Sequence, residues 1–216
     1  MNDFFNVDNK FFSAMGKVAD MLILNIVFVL TVWLGIGPAC TALYYATMKN
    51  IRKSRGYTIR VYFHSFRQNF RQGFICGVIQ IIMAVMLLWC YQTAMAMDPE
   101  STFGQVYYAG IWVILFLFVY LSIFLYPILS RFTLGVGTLF KMAFTLSLRN
   151  FFVTLALLIL LIAAALGVYL IPPLIFAVPS VYSLLSTFLI ERVFRKYMPK
   201  PSEEEESTID AWWLED

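Results

Sequence analysis

Four long stretches of the chain contain no Asp, Glu, Lys or Arg. A helix of about 20 apolar residues crosses the hydrocarbon core of a bilayer. Lipid offers no partners for backbone N–H and C=O groups, so a spanning segment must satisfy them within itself. The pattern therefore predicts an integral membrane protein. The four stretches are residues 21–48, 73–97, 107–130 and 150–190.

Composition and hydropathy agree with this class. Hydrophobic residues make up 61% of the chain, charged residues 13%, and the mean hydropathy is +0.76, outside the range of soluble globular domains. We expect residues 1–198 to form one all-α domain, a polytopic transmembrane helical bundle with interfacial amphipathic helices. The five predicted spans are residues 18–36, 73–97, 106–129, 151–171 and 174–190.

The segment after the first predicted span allows three interpretations. Pro38 and its glycine neighbours interrupt the helix, because proline lacks a backbone donor and clashes with the preceding turn. Residues 39–50 then form a kinked extension of the first helix, a re-entrant segment or a further crossing. A further crossing gives six membrane segments and moves the N-terminus from the outside to the inside.

Basic residues are distributed unevenly between the connecting loops. Segments 49–72, 130–150 and 191–200 carry many Lys and Arg residues, whereas the loop at 98–105 has none. Loops rich in Lys and Arg remain on the cytoplasmic side. We therefore expect a multi-pass protein of the bacterial cytoplasmic membrane with a cytoplasmic C-terminus. Its acidic tail, residues 199–216, is predicted to be disordered.

Two cytoplasmic aromatic-basic segments, residues 62–74 and 139–152, mix aromatic and basic residues before a predicted span. Phenylalanines recur every three or four residues in the first segment, with arginines beside them, which is typical of an amphipathic helix at a membrane surface. Each segment is an interfacial anchor or a docking helix for a partner, and their similarity suggests an internal duplication. Two tryptophans in the tail form a second docking candidate. The candidate partner or lipid contacts are Phe63, Phe66, Arg67, Phe70, Arg71, Lys141, Arg149, Trp212 and Trp213.

Polar residues are few within the predicted spans. Small and hydroxyl-bearing side chains at such positions usually pack helices together and form interhelical hydrogen bonds. The alternative is a partly hydrated cavity for a polar solute, next to a helix discontinuity at Pro179. The candidate intramembrane stripe is Asn25, Gln80, Tyr182, Ser183, Ser186 and Thr187.

The chain lacks the motifs of an enzyme, so we expect no enzymatic activity and no cofactor. His64 is the only histidine, which excludes multi-histidine metal centres. No ionisable residue lies deep within a predicted span, although ion-coupled carriers generally need one. The bilayer is an expected partner and nucleic acid is not. These observations leave an accessory protein or an uncoupled permease.

Four segments of the chain carry a family resemblance. They are residues 4–12 (FFNVDNKFF), 20–25 (DMLILN), 37–45 (GPACTALYY) and 65–72 (SFRQNFRQ). Together they resemble the YesL-like family of small, uncharacterised bacterial integral membrane proteins. The likeness covers about residues 1–198, excludes the tail and defines no catalytic residues. The resemblance implies a link to carbohydrate uptake, beside sugar ABC transporters.

The favoured function is therefore a non-enzymatic accessory or regulatory component linked to carbohydrate uptake. Its expected partners are sugar ABC transporter subunits or a membrane sensor. The alternative is a small uncoupled permease or channel for a polar solute, with the hydroxyl stripe lining the path.

Overall fold

The computed structural model describes residues 10–52, 57–98, 101–132 and 134–197, with side chains from residue 15 onward. These residues are almost entirely helical and contain no strand. The predicted fold class, an all-α protein with several helices able to span a membrane, is confirmed. The helices are α1 (Lys10–Thr31), α2 (Ile36–Ala46), α3 (Thr58–Gln68), α4 (Phe70–Met95), α5 (Thr102–Arg131), α6 (Val136–Arg149), α7 (Phe151–Leu170) and α8 (Val178–Tyr197).

Four helical segments in the described part of the chain are long and apolar enough to cross a bilayer. They correspond to the first four predicted spans, with boundaries shifted by a few residues. Their side chains leave many large apolar groups exposed, as expected for helices that face lipid. The four segments are Met15–Leu34, Phe70–Met95, Thr102–Arg131 and Phe151–Leu170.

The fifth predicted span, residues 174–190, is divided in the structure. A 3₁₀ segment, Pro172–Phe176, follows α7, and α8 begins only at Val178. Two consecutive prolines start the 3₁₀ segment because their fixed φ suits a helical first turn and they need no backbone donor. Helix α8 then continues past residue 190 to Tyr197, so its second half includes charged residues.

The chain reverses direction after α1. A 3₁₀ turn, Val32–Leu34, leads to Gly35, where α2 begins, and a π-helical segment, Thr47–Arg52, extends α2. Asn50 at the far end of this extension donates a hydrogen bond from Nδ2 to Asp20 Oδ2 of α1, at 3.3 Å. The segment therefore folds back along α1, and the interpretation of residues 39–50 as a kinked extension of the first helix is wrong.

Two glycines allow α2 to approach α4 with the backbones in contact. A Cβ atom placed on Gly37 would lie 1.9 Å from the Gly73 carbonyl oxygen, and one placed on Gly73 would lie 2.8 Å from the Pro38 nitrogen. Small residues at helix contacts permit this close approach in membrane proteins. The contact fixes the start of α2 against the start of α4.

Two clusters of buried apolar side chains hold the helices together. One lies between α5, α6, α7 and α8 and includes Phe124, Leu139 and Leu157, all fully buried. The other joins α1, α2 and α3 through residues such as Leu24 and Ala42. Helix α2 is buried along most of its length, so it occupies the interior of the bundle.

Candidate functional site

A cavity of about 570 Å³ lies between α1, α2, α5, α7 and α8. Its volume is in the range of small-molecule sites, which are mostly apolar with a few placed polar groups. Apolar side chains such as Phe28, Leu43 and Ile123 form much of its wall. Helix α7 contributes a row of apolar residues one turn apart, namely Leu161, Ala164, Ala165 and Val168.

Several polar side chains on the cavity wall are already bonded to other protein groups. Gln80 of α4 donates from Nε2 to Ser122 Oγ at 2.7 Å and accepts from the Tyr126 hydroxyl. Ser122 Oγ in turn donates to the Phe118 carbonyl oxygen at 2.8 Å. Gln80 therefore joins α4 to α5 behind the cavity, as the packing interpretation of the predicted stripe requires.

Ser183 differs from these groups. It is 5% exposed, it lies on the cavity wall, and its hydroxyl has no hydrogen-bond partner. Buried polar atoms are nearly always paired, so an unpaired one calls for an explanation. Ser186 Oγ donates to the Ser183 carbonyl oxygen at 2.7 Å. This bond pairs the Ser186 hydroxyl within α8, but it does not involve the Ser183 hydroxyl.

The structure brings only part of the predicted stripe together. Tyr182, Ser183 and Ser186 line the cavity, whereas Thr187 does not and donates to the Leu184 carbonyl oxygen at 2.7 Å. Gln80 lies behind the wall. Asn25 of α1 is buried and contacts the beginning of α8.

Asn25 of α1 caps α8. Its Oδ1 accepts a hydrogen bond from the Ser180 backbone N–H at 2.9 Å, and its Nδ2 donates to Ser180 Oγ at 2.7 Å and to the Ala177 carbonyl oxygen at 3.1 Å. The first N–H groups of a helix have no partner within the helix. A side chain from a distant helix supplies one here, so Asn25 has a structural role.

A buried ion pair connects α5 to α8. Arg131 Nη2 pairs with Glu191 Oε2, and each side chain is 3% exposed. The Tyr44 hydroxyl of α2 donates to Glu191 Oε1 at 3.1 Å. Burying such a pair is costly unless the geometry and further hydrogen bonds are good, and the tyrosine adds one of these bonds.

Sequence reasoning missed this ion pair because it ended the fifth span at residue 190. Helical spacing contained a signal, since Glu191 lies one turn beyond Thr187 on the same side of α8 as Ser183.

Arg52 was assigned to the basic loop but is also bound to α8. Its Nη1 donates to the Thr187 carbonyl oxygen at 2.9 Å, and its guanidinium lies 4.7 Å from the ring centroid of Phe188.

Two further hydrogen-bonded groups tie α3 to α1. Asp20 accepts from Thr58 Oγ1 at 2.5 Å, next to its bond with Asn50. Thr31 Oγ1 and the Tyr62 hydroxyl are 2.6 Å apart. Burial raises the pKa of Tyr62, and the bond to Thr31 opposes that rise. Asp20 and Tyr62 were not among the predicted site residues, because each appears in sequence as an isolated polar group.

The first aromatic-basic segment forms a corner between α3 and α4, at Asn69. Phe66 is buried, whereas Phe63 and Phe70 are 42% and 40% exposed. Arg67 and Arg71 are both exposed. The predicted amphipathic helix therefore consists of two helices, and we call the exposed residues Phe63, Arg67, Phe70 and Arg71 the corner surface.

Ring contacts continue across this corner. The centroid distances are 6.5 Å for Phe63 and Phe66, 5.5 Å for Phe66 and Phe70, and 5.9 Å for Phe70 and Phe74. Aromatic pairs at these separations attract one another beyond their area of burial. The series anchors the corner surface to the core through Phe66.

A second corner, between α6 and α7, repeats the geometry of the first. The Asn69 backbone N–H and Nδ2 both donate to the Ser65 carbonyl oxygen, at 3.0 and 3.2 Å. The corresponding groups of Asn150 donate to the Leu146 carbonyl oxygen, at 3.1 and 3.0 Å. The two corners thus use the same side chain in a similar way, and the internal duplication stays a prediction.

Lys141 and Arg149, the predicted contacts of the second segment, are exposed on α6. The Arg149 guanidinium lies 4.9 Å from the ring centroid of Tyr197. Trp212 and Trp213, together with the rest of the tail, lie outside the described residues. Within the described ranges, no three His, Cys, Asp or Glu side chains are close enough to hold a metal ion.

A family model described as "Protein of unknown function, DUF624" matches residues 21–91. The matched segment runs from α1 into α4 and includes the α2–α4 glycine contact and the first corner. Comparison with curated proteins and with solved structures gives no match. This segment of the chain is therefore similar to an uncharacterised protein family.

Proposed function

We propose that the chain is a non-enzymatic accessory or regulatory protein of the bacterial cytoplasmic membrane, of the YesL-like kind and linked to carbohydrate uptake. The link to carbohydrate rests on the resemblance in residues 4–72. The accessory role is supported by the corner surface. In this proposal the C-terminus and both corners are cytoplasmic, as the distribution of basic residues in the loops indicates.

The exposure of Arg67 and Arg71 beside Phe63 and Phe70 is the observation that carries the proposal. Arginine and aromatic residues are enriched in protein–protein contacts, where they supply both area and directed hydrogen bonds. The surface is also firmly held, because Phe66 packs in the core and Asn69 closes the corner. A firmly held surface loses little conformational entropy on binding. We take sugar ABC transporter subunits or a membrane sensor as the partner class.

The test is a pull-down of the tagged protein from its native membranes in mild detergent, analysed by mass spectrometry. We expect sugar-transporter or sensor subunits to be recovered with the wild-type chain and lost from the double variant Arg67→Glu, Arg71→Glu. The control is Arg192→Glu with Lys196→Glu, because these exposed cations have the same four-residue spacing on α8. The control should retain the partner.

A second arm tests the tail. Truncation after residue 198 removes Trp212 and Trp213, and we expect it to weaken recovery of the same partner. Retention of the partner by both the corner variant and the truncated chain would contradict the proposal. Recovery of the chain alone would favour the permease alternative.

The permease or channel for a polar solute has less support. The Ser186 and Thr187 hydroxyls bond to carbonyl oxygens of their own helix, so they offer little to a passing solute, and most of the cavity wall is apolar. Glycerol flux into proteoliposomes distinguishes the two functions. We expect no flux above that of protein-free vesicles, and flux that is lost in the Ser183→Ala, Ser186→Ala, Thr187→Ala variant would establish the alternative.

A further inference from the structure

The cavity between α1, α2, α5, α7 and α8 is not used by the proposed partner contact. We propose that it binds a hydrocarbon chain of a membrane glycerolipid, with Ser183 Oγ donating a hydrogen bond to an ester oxygen of that lipid.

The chemistry of the wall favours a hydrocarbon chain. Phe28, Leu43, Ile123 and Leu161 present only carbon atoms, and the volume of about 570 Å³ is well beyond that of a single side chain. An acyl chain that moves from the bilayer to this wall stays among carbon atoms, so it is stabilised there by packing contacts and loses no hydration. A polar solute would lose its hydration here without gaining enough hydrogen bonds in return.

One fully buried polar atom on the wall, Ser183 Oγ, is unsatisfied. The hydroxyls of Ser122, Tyr126 and Ser186 are all bonded to other protein atoms, whereas the buried Ser183 hydroxyl has no partner. A mostly apolar pocket with one directed polar group matches an amphipathic ligand. An ester oxygen satisfies that requirement, because it accepts one hydrogen bond and can remain otherwise surrounded by carbon.

The surroundings of the cavity favour a ligand from the bilayer. Helix α7 is among the helices long and apolar enough to span a membrane. Next to its cavity-lining residues it exposes Ile162 and Leu166, and α8 exposes Val181 and Leu185. Lipid chains are therefore expected to contact two of the helices that border the cavity, α7 and α8, so a ligand from the bilayer need not pass through water.

Three consecutive alanines on α7 give a matched test. Ala164 lies on the cavity wall, whereas Ala163 is exposed and lies outside it. Ala164→Phe should place a ring inside the cavity and occupy part of it, and Ala163→Phe should add the same surface to the outside of the same helical turn. Ser183→Ala removes the unpaired hydroxyl, and Thr187→Val removes a hydroxyl that lies off the cavity wall and is bonded within α8.

The experiment uses the full chain reconstituted in vesicles of phosphatidylethanolamine and phosphatidylglycerol. A small fraction of the phosphatidylglycerol carries a photoactivatable diazirine in one acyl chain. After irradiation, labelled peptides are located by mass spectrometry. Elution volume in size-exclusion chromatography shows that each variant is folded and reports its oligomeric state.

We expect wild-type labelling at the cavity-lining residues of α7 and α8. Ala164→Phe should reduce this labelling, and Ser183→Ala should reduce it about fivefold, the effect of losing one ordinary hydrogen bond. Ala163→Phe and Thr187→Val should label as the wild type does.

Equal labelling in all five proteins overturns the proposal, because it would report lipid around the outside of the bundle. Absence of label from the cavity wall in the wild type also overturns it. A changed oligomeric state in Ala164→Phe, with cavity labelling retained, would mean that the cavity is an interface between copies of the chain. Glycerol flux through the wild type that Ser183→Ala abolishes would assign the site to a polar solute.

Discussion

The Asn25 side chain of α1 accepts a hydrogen bond from the Ser180 backbone N–H at 2.9 Å, so one helix caps another that lies 155 residues further along the chain. The beginning of α8 needs this help. Pro179 precedes Ser180 and brings no backbone donor, and the 3₁₀ segment before α8 ends at Phe176. The bond therefore fixes where α8 starts and how it lies against α1.

Replacing Asn25 with Ala should lower the free energy of unfolding by about 2 kcal/mol, because the Ser180 N–H and the Ala177 carbonyl both lose a buried partner. The measurement is Tm in detergent, with unfolding monitored by tryptophan fluorescence. Thr145→Ala is the control, since Thr145 is exposed and bonds only to the Lys141 carbonyl oxygen of its own helix. A Tm equal to that of the control would contradict the capping role.

Gly37→Ala should separate α2 from α4. The new Cβ would lie 1.9 Å from the Gly73 carbonyl oxygen, and a backbone atom cannot move aside without its helix. We expect the free energy of unfolding to fall by about 3 kcal/mol or more, which is at the upper end for overpacked sites. The readout is again Tm, together with the yield of monodisperse protein.

The matched control is Gly110→Ala in α5, where a Cβ would meet nothing within 4 Å. Alanine has the higher helix propensity, by about 1 kcal/mol, so Tm should stay the same or rise. Equal effects at Gly37 and Gly110 would mean that the backbone contact between α2 and α4 is unimportant.

The two corners should respond alike to loss of their asparagine. Asn69→Ala and Asn150→Ala each remove a side-chain bond to a carbonyl oxygen at a helix C-terminus. We expect each to reduce the free energy of unfolding by about 1 kcal/mol. Gln68→Ala, an exposed neighbour, should have no effect. A large loss at one corner and none at the other would argue against equivalent corners.

The sequence predicts the first four spans well because each is a continuous apolar run, and bilayer thickness sets a minimum length that few other structures share. Pro38 also indicated the break after α1. The direction of α2 depends on tertiary contacts, namely the Asn50 bond to Asp20 and the contact between Gly37 and Gly73. Neither contact has a periodic signal, so residues 39–50 could not be placed from the pattern alone.

The candidate site was less predictable. Helical spacing grouped Tyr182, Ser183 and Ser186, because residues three and four apart share a face of a helix, and all three line the cavity. It could not tell which hydroxyl was already bonded. It also could not place Arg131 beside Glu191, because ion pairs between helices depend on how those helices cross.

Breaking the Arg131–Glu191 pair is expected to cause the largest loss of stability. Glu191→Gln keeps the shape of the side chain but leaves the Arg131 charge without its counter-ion in the interior. Breaking a buried pair in this way costs about 3–5 kcal/mol. Tyr44→Phe removes only a hydrogen bond to the carboxylate and should cost about 1.5 kcal/mol. Arg192→Gln, at the next and exposed position of α8, should leave Tm unchanged.

A double-mutant cycle separates the pair from its surroundings. If the cost of Glu191→Gln arises from the uncompensated Arg131 charge, adding Arg131→Gln should restore part of the lost stability. The double variant should then be more stable than the sum of the single changes predicts, by about 2 kcal/mol. Strictly additive losses would show that each side chain stabilises the bundle through other contacts. If instead the losses are not additive, the pair helps to fix how α5 crosses α8, because a misplaced helix would leave both charges buried and unpaired.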